Sequence, residues 1–218
     1  MVRGEFAAMR PKLPTLRSSL LGIHYAILTI QDELSSIQSE QTLTEFEKLV
    51  LLLEDRRFFG HYGIDWRSIA REALKAITGQ KHGGASTIDM QLFRTASNRY
   101  ERTLRRKIRE WAGVLVLQRK FSKLAILRTY LQMAYFGTGL RGARDAAIAL
   151  FPQAVDECAW KFDSSKLSLD EAAQLAALLV YPKPRLPNVD WSAKVRRRAD
   201  YGLALYATRE QALDQIWS

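Results

Sequence analysis

Helical spacing of the apolar residues is the feature that most constrains this chain. Apolar side chains recur every three or four residues in one segment after another, and no segment alternates convincingly at period two. Any sheet is therefore small, and we predict a mainly α fold. The predicted helices span residues 43–59, 65–77, 101–121, 124–136, 172–180 and 194–206.

Two of these helices carry features that a structure can check one by one. In segment 101–121, Leu104, Ile108, Trp111 and Leu115 follow the spacing of a single apolar face, so we expect that face to lie against the core. The segment 168–171, Ser-Leu-Asp-Glu, is a capping box and predicts a helix start there.

Length and composition limit the class of protein. A chain of 218 residues suits one domain, with room for two lobes, and a hydrophobic content of 47% excludes an intrinsically disordered chain. The single cysteine excludes a disulfide scaffold. With only three histidines beside it, the composition also argues against a Cys/His zinc site.

The positive charge is concentrated in one stretch. Of a net charge of +10, residues 99–128 hold ten Lys or Arg against two Glu. A nucleic acid, an anionic membrane surface or a phosphorylated substrate would explain this stretch, and so would a solvated, salt-bridged helix face. Because interleaved aromatic residues and DNA-reading motifs are missing, we expect no nucleic-acid partner.

The N-terminus places Arg10, Lys12 and Arg17 before an apolar run at residues 20–30. That run is too short to span a bilayer, so it predicts either a buried helix or one lying on a membrane surface.

A proline-rich break at 181–187 marks the end of the main body. We divide the chain into an N-terminal segment 1–42, a central domain 43–190 and a C-terminal helical extension 191–218.

The first candidate site is Glu54, directly after the apolar residues 49–53. Apolar surroundings desolvate a carboxylate and suit it to general acid/base chemistry. The alternative is a simple ion pair with Arg57 one turn on. His61 and Asp65 would resemble metal ligands only on a helix, and because Gly63 argues against one we assign no metal site.

The second candidate is the segment 83–91, in which two glycines precede Ser86 and Thr87. Such a loop feeding a helix N-terminus favours an anion. The phosphate-loop pattern fails, because Ala85 stands where its lysine is required. The alternative is an ordinary helix cap, with Ser86 and Asp89 as an imperfect capping box.

The third candidate is a basic stripe at residues 105–109, followed by Glu110. On a helix, Lys107 and Glu110 are three residues apart and share a face. The stripe could hold a pyrophosphate, because arginine forms forked hydrogen bonds and lysine supplies a point charge. A nucleic-acid backbone would be bound by the same chemistry.

Together and in this order, these segments resemble the peptidoglycan glycosyltransferases, the transglycosylases of the penicillin-binding protein and monofunctional types (glycosyltransferase family 51). The resemblance covers residues 43–188 and rests on five motifs in register. They lie at 54–65, 84–92, 106–110, 126–142 and 167–178. The family implies a mainly α, lysozyme-like fold with a larger helical lobe and a smaller, membrane-apposed lobe.

The resemblance implies an enzyme that polymerises lipid II into glycan strands and releases undecaprenyl pyrophosphate with inversion. Glu54 would be the general base, and Glu110 would assist the leaving diphosphate or orient a metal. Arg106 and Lys107 would neutralise the pyrophosphate. The remaining substrate-binding residues would be Ser86, Thr87, Gln91, Arg94, Asp55, Phe58, His61 and Gly63. No cofactor is required, although Mg²⁺ or Mn²⁺ could accompany the pyrophosphate.

The family also implies partners and a location. The partners would be lipid II, the growing glycan strand, the membrane surface and other cell-wall synthesis proteins. The location would be the periplasmic face of the bacterial cytoplasmic membrane, with no anchor evident in this sequence. The chain departs from the family pattern at Asp89, Thr95, Gln132 and residues 151–152.

Three other functions remain open at this point. A degenerate family member would bind the lipid-linked precursor or glycan without polymerising it. A glycan-cleaving enzyme is suggested by the lysozyme-like lobe, but it would need no pyrophosphate site. A basic nucleic-acid binder would show salt-dependent binding.

Overall fold

The structure, a computed structural model, describes residues 16–35, 42–79, 86–101, 103–156 and 161–217. The chain is mainly α, as predicted. The helices are α1 (Leu16–Ser35), α2 (Glu45–Glu54), α3 (Trp66–Ile77), α4 (Ile88–Ser97), α5 (Leu104–Lys120), α6 (Lys123–Met133), α7 (Gly142–Leu150), α8 (Leu169–Ala177) and α9 (Val189–Trp217). Arg10, Lys12 and residues 83–85, which figure in the sequence predictions, lie outside the described residues.

Sheet structure in the described chain is small, as the lack of period-two alternation predicts. Strands β1 (Tyr135–Gly137) and β2 (Leu140–Arg141) form one antiparallel pair, and β3 (Val155–Asp156) and β4 (Lys161–Phe162) form another. Short 3₁₀ turns lie at Phe58–Gly60, Pro152–Ala154 and Ser164–Lys166.

The helix boundaries follow local capping chemistry. The predicted capping box is present, since Ser168 accepts from the Glu171 N–H and Glu171 accepts from the Ser168 N–H. The predicted helix 43–59 is shorter than expected. It starts after a second capping box, Thr44 with Glu47, and ends at Glu54, where the chain turns into the 3₁₀ segment.

Two hydrophobic cores divide the described chain. The larger core is built mainly on α2, α4, α6, α7 and α8, with buried side chains such as Phe46, Leu49, Ile126 and Leu175. The smaller core gathers side chains of α1, α4 and α5 with the loop before α3. Its members are Ala26, Ile64, Met90, Phe93 and Val114. We refer to the elements around the smaller core as the smaller lobe.

The expected core face of α5 is wrong for three of its four residues, whereas Trp111 is half-buried and packs against the smaller core as predicted. Leu104, Ile108 and Leu115 are exposed, Leu104 to 74%. The helix instead buries Gly113, Val114 and Leu117, which lie on the opposite side. Spacing identified a helix with an apolar stripe, but a stripe facing outward has the same period as one facing the core.

The two terminal helices both pack against the central ones. Helix α1 buries Ala26, Ile27 and Ile30 and exposes Leu20 and Tyr25, so the apolar run is a helix with one buried side. Helix α9 packs on α8 and α2.

Among the described residues, no helix is long and apolar enough to cross a membrane. The three-part division of the chain at residues 42 and 190 stays a prediction.

Helix packing around α5 leaves no room for a side chain at Gly113. A Cβ there would lie 2.1 Å from the Phe93 ring. Gly113→Ala should therefore lower the free energy of unfolding by about 1–3 kcal/mol. Urea unfolding followed by circular dichroism measures this change.

Gly22→Ala in α1 is the matched control, because nothing lies within 4 Å of the Cβ it would add. That change should stabilise the chain by about 0.5–1 kcal/mol, since alanine favours helix more than glycine does. Equal effects of the two substitutions would contradict the packing described here.

Candidate active site

Glu54 is the last residue of α2, and two side chains from distant elements hold its carboxylate. Gln91 on α4 donates from Nε2 to Oε2 at 3.4 Å, and Arg198 on α9 donates from Nη2 to Oε1 at 3.3 Å. The ion pair with Arg57 that local spacing allowed is absent, because Arg57 pairs with Asp65 at 2.9 Å instead. Glu54 is half-buried, as its apolar neighbours predicted.

The orientation of Gln91 is fixed from behind by a buried tyrosine. Tyr130 on α6 donates its hydroxyl proton to Gln91 Oε1 at 2.7 Å, which turns the Gln91 amide NH₂ toward Glu54. Burial, with a contribution from the Glu54 charge, raises the pKa of Tyr130. The phenol therefore stays protonated and remains a donor.

Glu110 on α5 is the centre of a cluster of three cations. Its carboxylate is almost fully buried, at 1% exposure. Glu110 Oε1 accepts from Arg94 Nε at 2.8 Å and also from Arg106, while Lys107 Nζ lies 3.9 Å from Oε2. Burial lowers the pKa of Lys107, and the nearby cations Arg94 and Arg106 act in the same direction. The predicted pairing of Lys107 with Glu110 across one helical turn is present.

Ser86 joins this cationic cluster from the segment before α4. Its hydroxyl accepts from Arg94 at 3.2 Å and lies 3.5 Å from Lys107 Nζ. The helix cap, however, is Thr87 and not Ser86. The Thr87 hydroxyl accepts from the Met90 N–H and donates to the Gly63 carbonyl at 2.6 Å. The alternative reading of the segment as a helix cap is correct, but the cap is one residue later than the Ser86–Asp89 box that it named.

Helix α4 brings the two carboxylates to one side of the molecule. Gln91, which touches Glu54, and Arg94, which touches Glu110, are three residues apart and so are neighbours on the helix surface. The carboxylate expected to act as base and the cationic cluster therefore flank the same stretch of α4.

Four residues expected to bind substrate are buried in the loop that follows Glu54. Asp55 accepts from the Ile88 N–H at 3.1 Å and lies 3.1 Å from His61 Nε2, and Phe58 belongs to the larger core. Gly63 has φ +77°, and a Cβ there would lie 2.1 Å from Val114. All four residues are buried against protein, and their assignment to substrate binding stays a prediction.

Thr87 is also buried. Its hydroxyl lies between the Gly63 carbonyl and the start of α4. Of the predicted residues, the structure brings together Ser86, Gln91, Arg94, Arg106 and Lys107 around the two carboxylates. The other predicted residues hold the backbone that carries this set.

Sequence reasoning missed Arg198 and Tyr130. Arg198 lies 144 residues from Glu54, in the part of the chain that we had assigned to a C-terminal extension. It also donates to the Leu53 carbonyl at 2.6 Å and so closes the end of α2. No local pattern points to this contact. Tyr130 could have been noticed as a polar group within the apolar helix 124–136.

A half-buried carboxylate beside fixed cations defines the chemistry of this site. Preorganised cations stabilise negative charge that develops on a leaving group, and a nearby carboxylate can accept a proton. The site therefore suits a transferase with an anionic leaving group.

Comparison with known proteins agrees with this class. A family model described as Transglycosylase matches residues 25–206. The chain belongs to this transglycosylase family.

Relatives of the chain include three penicillin-binding proteins. It is 36% identical over 137 residues to penicillin-binding protein 2a of Streptococcus pneumoniae, covering 63% of this chain and 17% of the relative. It is 38% identical over 146 residues to penicillin-binding protein 1A of Aquifex aeolicus, covering 66% and 19%. It is 31% identical over 210 residues to penicillin-binding protein 1A of Escherichia coli, covering 90% and 24%. The chain thus spans about a fifth of the length of these relatives.

Proposed function

We propose that the chain is a peptidoglycan glycosyltransferase that polymerises lipid II into glycan strands and releases undecaprenyl pyrophosphate. The observation that carries the proposal is the pairing of Glu54 and Glu110 with adjacent side chains of α4. Membership of the transglycosylase family supports it. The test is polymerisation of labelled lipid II by the purified chain, and binding of lipid II without products would favour the degenerate alternative.

Glu54 acts as the general base in this proposal. It takes the proton from the acceptor sugar hydroxyl, whose oxygen then bonds to the anomeric carbon of the donor. The bond from that carbon to the pyrophosphate breaks, and the pyrophosphate leaves with the electron pair. Attack opposite the leaving group converts the α linkage to a β linkage. Gln91 and Arg198 orient the Glu54 carboxylate for this transfer.

The cationic cluster stabilises the leaving pyrophosphate. Lys107, one-third exposed, faces outward from the cluster, whereas Arg106 is mostly covered and is held by Glu110. We assign Glu110 the role of orienting these cations, because it is too deeply buried to meet the substrate itself. Fixed cations stabilise developing charge without having to reorganise.

A protein-bound divalent cation fits this cluster poorly. Glu110 Oε1 already accepts from Arg94 and Arg106, and Lys107 faces Oε2. An Mg²⁺ or Mn²⁺ ion would meet three positive groups for one carboxylate, and such ions prefer sites rich in oxygen ligands.

We further propose that the smaller lobe contacts the membrane that carries lipid II, on its periplasmic face. The helices around the smaller core expose large apolar side chains that a soluble surface does not require. They include Leu20, Leu21, Tyr25 and Leu28 on α1, Trp66, Leu74 and Ile77 on α3, and Leu104, Ile108 and Leu115 on α5. Groups of exposed apolar residues are typical of protein or membrane contacts.

The role of Glu54 is tested by Glu54→Gln, which keeps the shape of the side chain and removes the base. We expect polymerisation of lipid II to fall at least about 100-fold, the usual contribution of general-base catalysis. Circular dichroism should show an unchanged fold. Glu45→Gln, the same change at the other end of α2, should leave turnover near normal. Near-normal turnover in Glu54→Gln would remove Glu54 from the mechanism.

The role of the cations is tested by Arg106→Ala and Lys107→Ala. Each should lower turnover strongly, by about tenfold or more, because the leaving group loses a fixed positive charge. Lys107→Arg should rescue only partly, since a planar guanidinium does not replace a compact ammonium. Arg119→Ala, at the exposed far end of α5, is the control and should turn over lipid II normally. Full activity of Lys107→Ala would refute a leaving-group role.

Membrane contact is tested by vesicle binding. Deletion of the segment through Ile30 would be a poor test, because Ile27 and Ile30 belong to the larger core. The double variant Leu104→Ser/Ile108→Ser should weaken binding to anionic vesicles at least about tenfold, since each apolar side chain contributes about 1 kcal/mol or more.

The matched control for vesicle binding is Leu186→Ser/Val189→Ser, which alters two equally exposed apolar residues away from the smaller core. Cosedimentation with vesicles measures both variants. The same loss in both would show that binding is not specific to the smaller lobe.

A further inference from the structure

In addition to the residues around Glu54 and Glu110, the structure holds a second cluster of buried polar side chains. Asp55, His61 and Asp89 bring ligand-type atoms within 4.8 Å of one another, and all three are buried. This set resembles a metal site. The place of a cation, however, is taken by Lys123, whose Nζ lies 3.0 and 3.2 Å from the two oxygens of Asp89.

Lys123 makes contact with several elements at once. It is the first residue of α6, and its ammonium also lies 4.3 Å from the centre of the Phe58 ring. Asp89 lies in the first turn of α4 and accepts in addition from Gln118 of α5. The pair therefore ties together α4, α5, α6 and the loop after Glu54.

Stability alone does not explain this pair. Asp89 is fully buried, and burial raises its pKa and lowers the pKa of Lys123, so each charge is costly where it stands. Replacing a buried ion pair with uncharged groups is often neutral or stabilising. The position of Lys123 is also unfavourable for its own helix, because the N-terminus of a helix carries partial positive charge.

The direction of Asp89 connects the pair to the reaction. At about 100° per residue, Asp89 points to the side of α4 opposite to that of Gln91 and Arg94. The charge of Asp89 is therefore turned away from the cationic cluster. The pair holds the back of α4, while the front of the same helix touches Glu54 and Glu110.

We propose that Asp89 and Lys123 are positioning residues, which fix α4 so that Gln91 and Arg94 meet the two carboxylates in reactive geometry. This inference rests on the proposed polymerisation of lipid II. Small displacements of catalytic groups lower rates by large factors. The pair thus acts on turnover and contributes little to the binding of substrate.

The deciding variant is Asp89→Asn/Lys123→Met in the full chain. It removes both charges and keeps the shape of Asp89, so it should unfold in urea at nearly the same midpoint as the parent chain. A merely structural pair would then leave turnover normal. A positioning pair predicts a kcat lower by about tenfold to 100-fold, with KM for lipid II within about threefold. Lys120→Met, at an exposed lysine of α5, is the control and should behave like the parent chain.

A second readout does not depend on activity. In the double variant, the amide protons of Gln91 to Arg94 should exchange at least about tenfold faster, while those of α8 stay unchanged. If the double variant does not fold, Asp89→Asn/Lys123→Gln, which also removes both charges but keeps a polar partner for the amide, is judged by the same two measurements. Turnover within threefold of the parent chain together with unchanged α4 exchange overturns the inference. A parent chain inactive on lipid II would refute the proposed function, and amide exchange would still decide how α4 is held.

Discussion

The packing of α4 between the two cores is the constraint on which the site depends. Ile88 and Leu92 enter the larger core, and Met90 and Phe93 enter the smaller one. Hydrophobic burial on two sides leaves one outer strip of this helix, which Gln91 and Arg94 occupy, while Asp89 is buried on the opposite side. Neither side chain could reach its carboxylate if α4 rotated, because rotation would expose apolar surface from one core or the other.

Electrostatic compensation inside the molecule determines which cations can act on a ligand. Glu110 is buried and draws Arg94 and Arg106 around itself, so those guanidinium groups have a fixed geometry. Three cations surround one carboxylate, so the cluster keeps a net positive charge. A one-to-one ion pair on the surface would be neutral. Of the ten basic residues in 99–128, Arg106 and Lys107 belong to this cluster, whereas Arg99, Arg105, Arg119 and Lys120 are exposed on the surface.

The sequence predicted those parts of the site that depend on local spacing. The helix over Lys107 and Glu110 is present, and so is the Ser168 capping box. Contacts between distant segments could not be predicted in this way. Arg198 reaches Glu54 only because α9 packs against α2. The partner of Asp89 likewise depends on how α6 meets α4, which no periodicity encodes.

Helix α5 shows why spacing alone misplaced the expected core face, and why that matters for function. Gly113 and Leu117 face inward together with Glu110, whereas Leu104, Ile108 and Leu115 form a strip on the opposite side. At about 100° per residue, Lys107 lies between these two sides. One helix therefore sets a cation at the edge of an exposed apolar strip. In the proposed function the donor is a pyrophosphate joined to a lipid chain, which has the same order of charge and apolar surface, and α5 offers both kinds of group on a single rigid element.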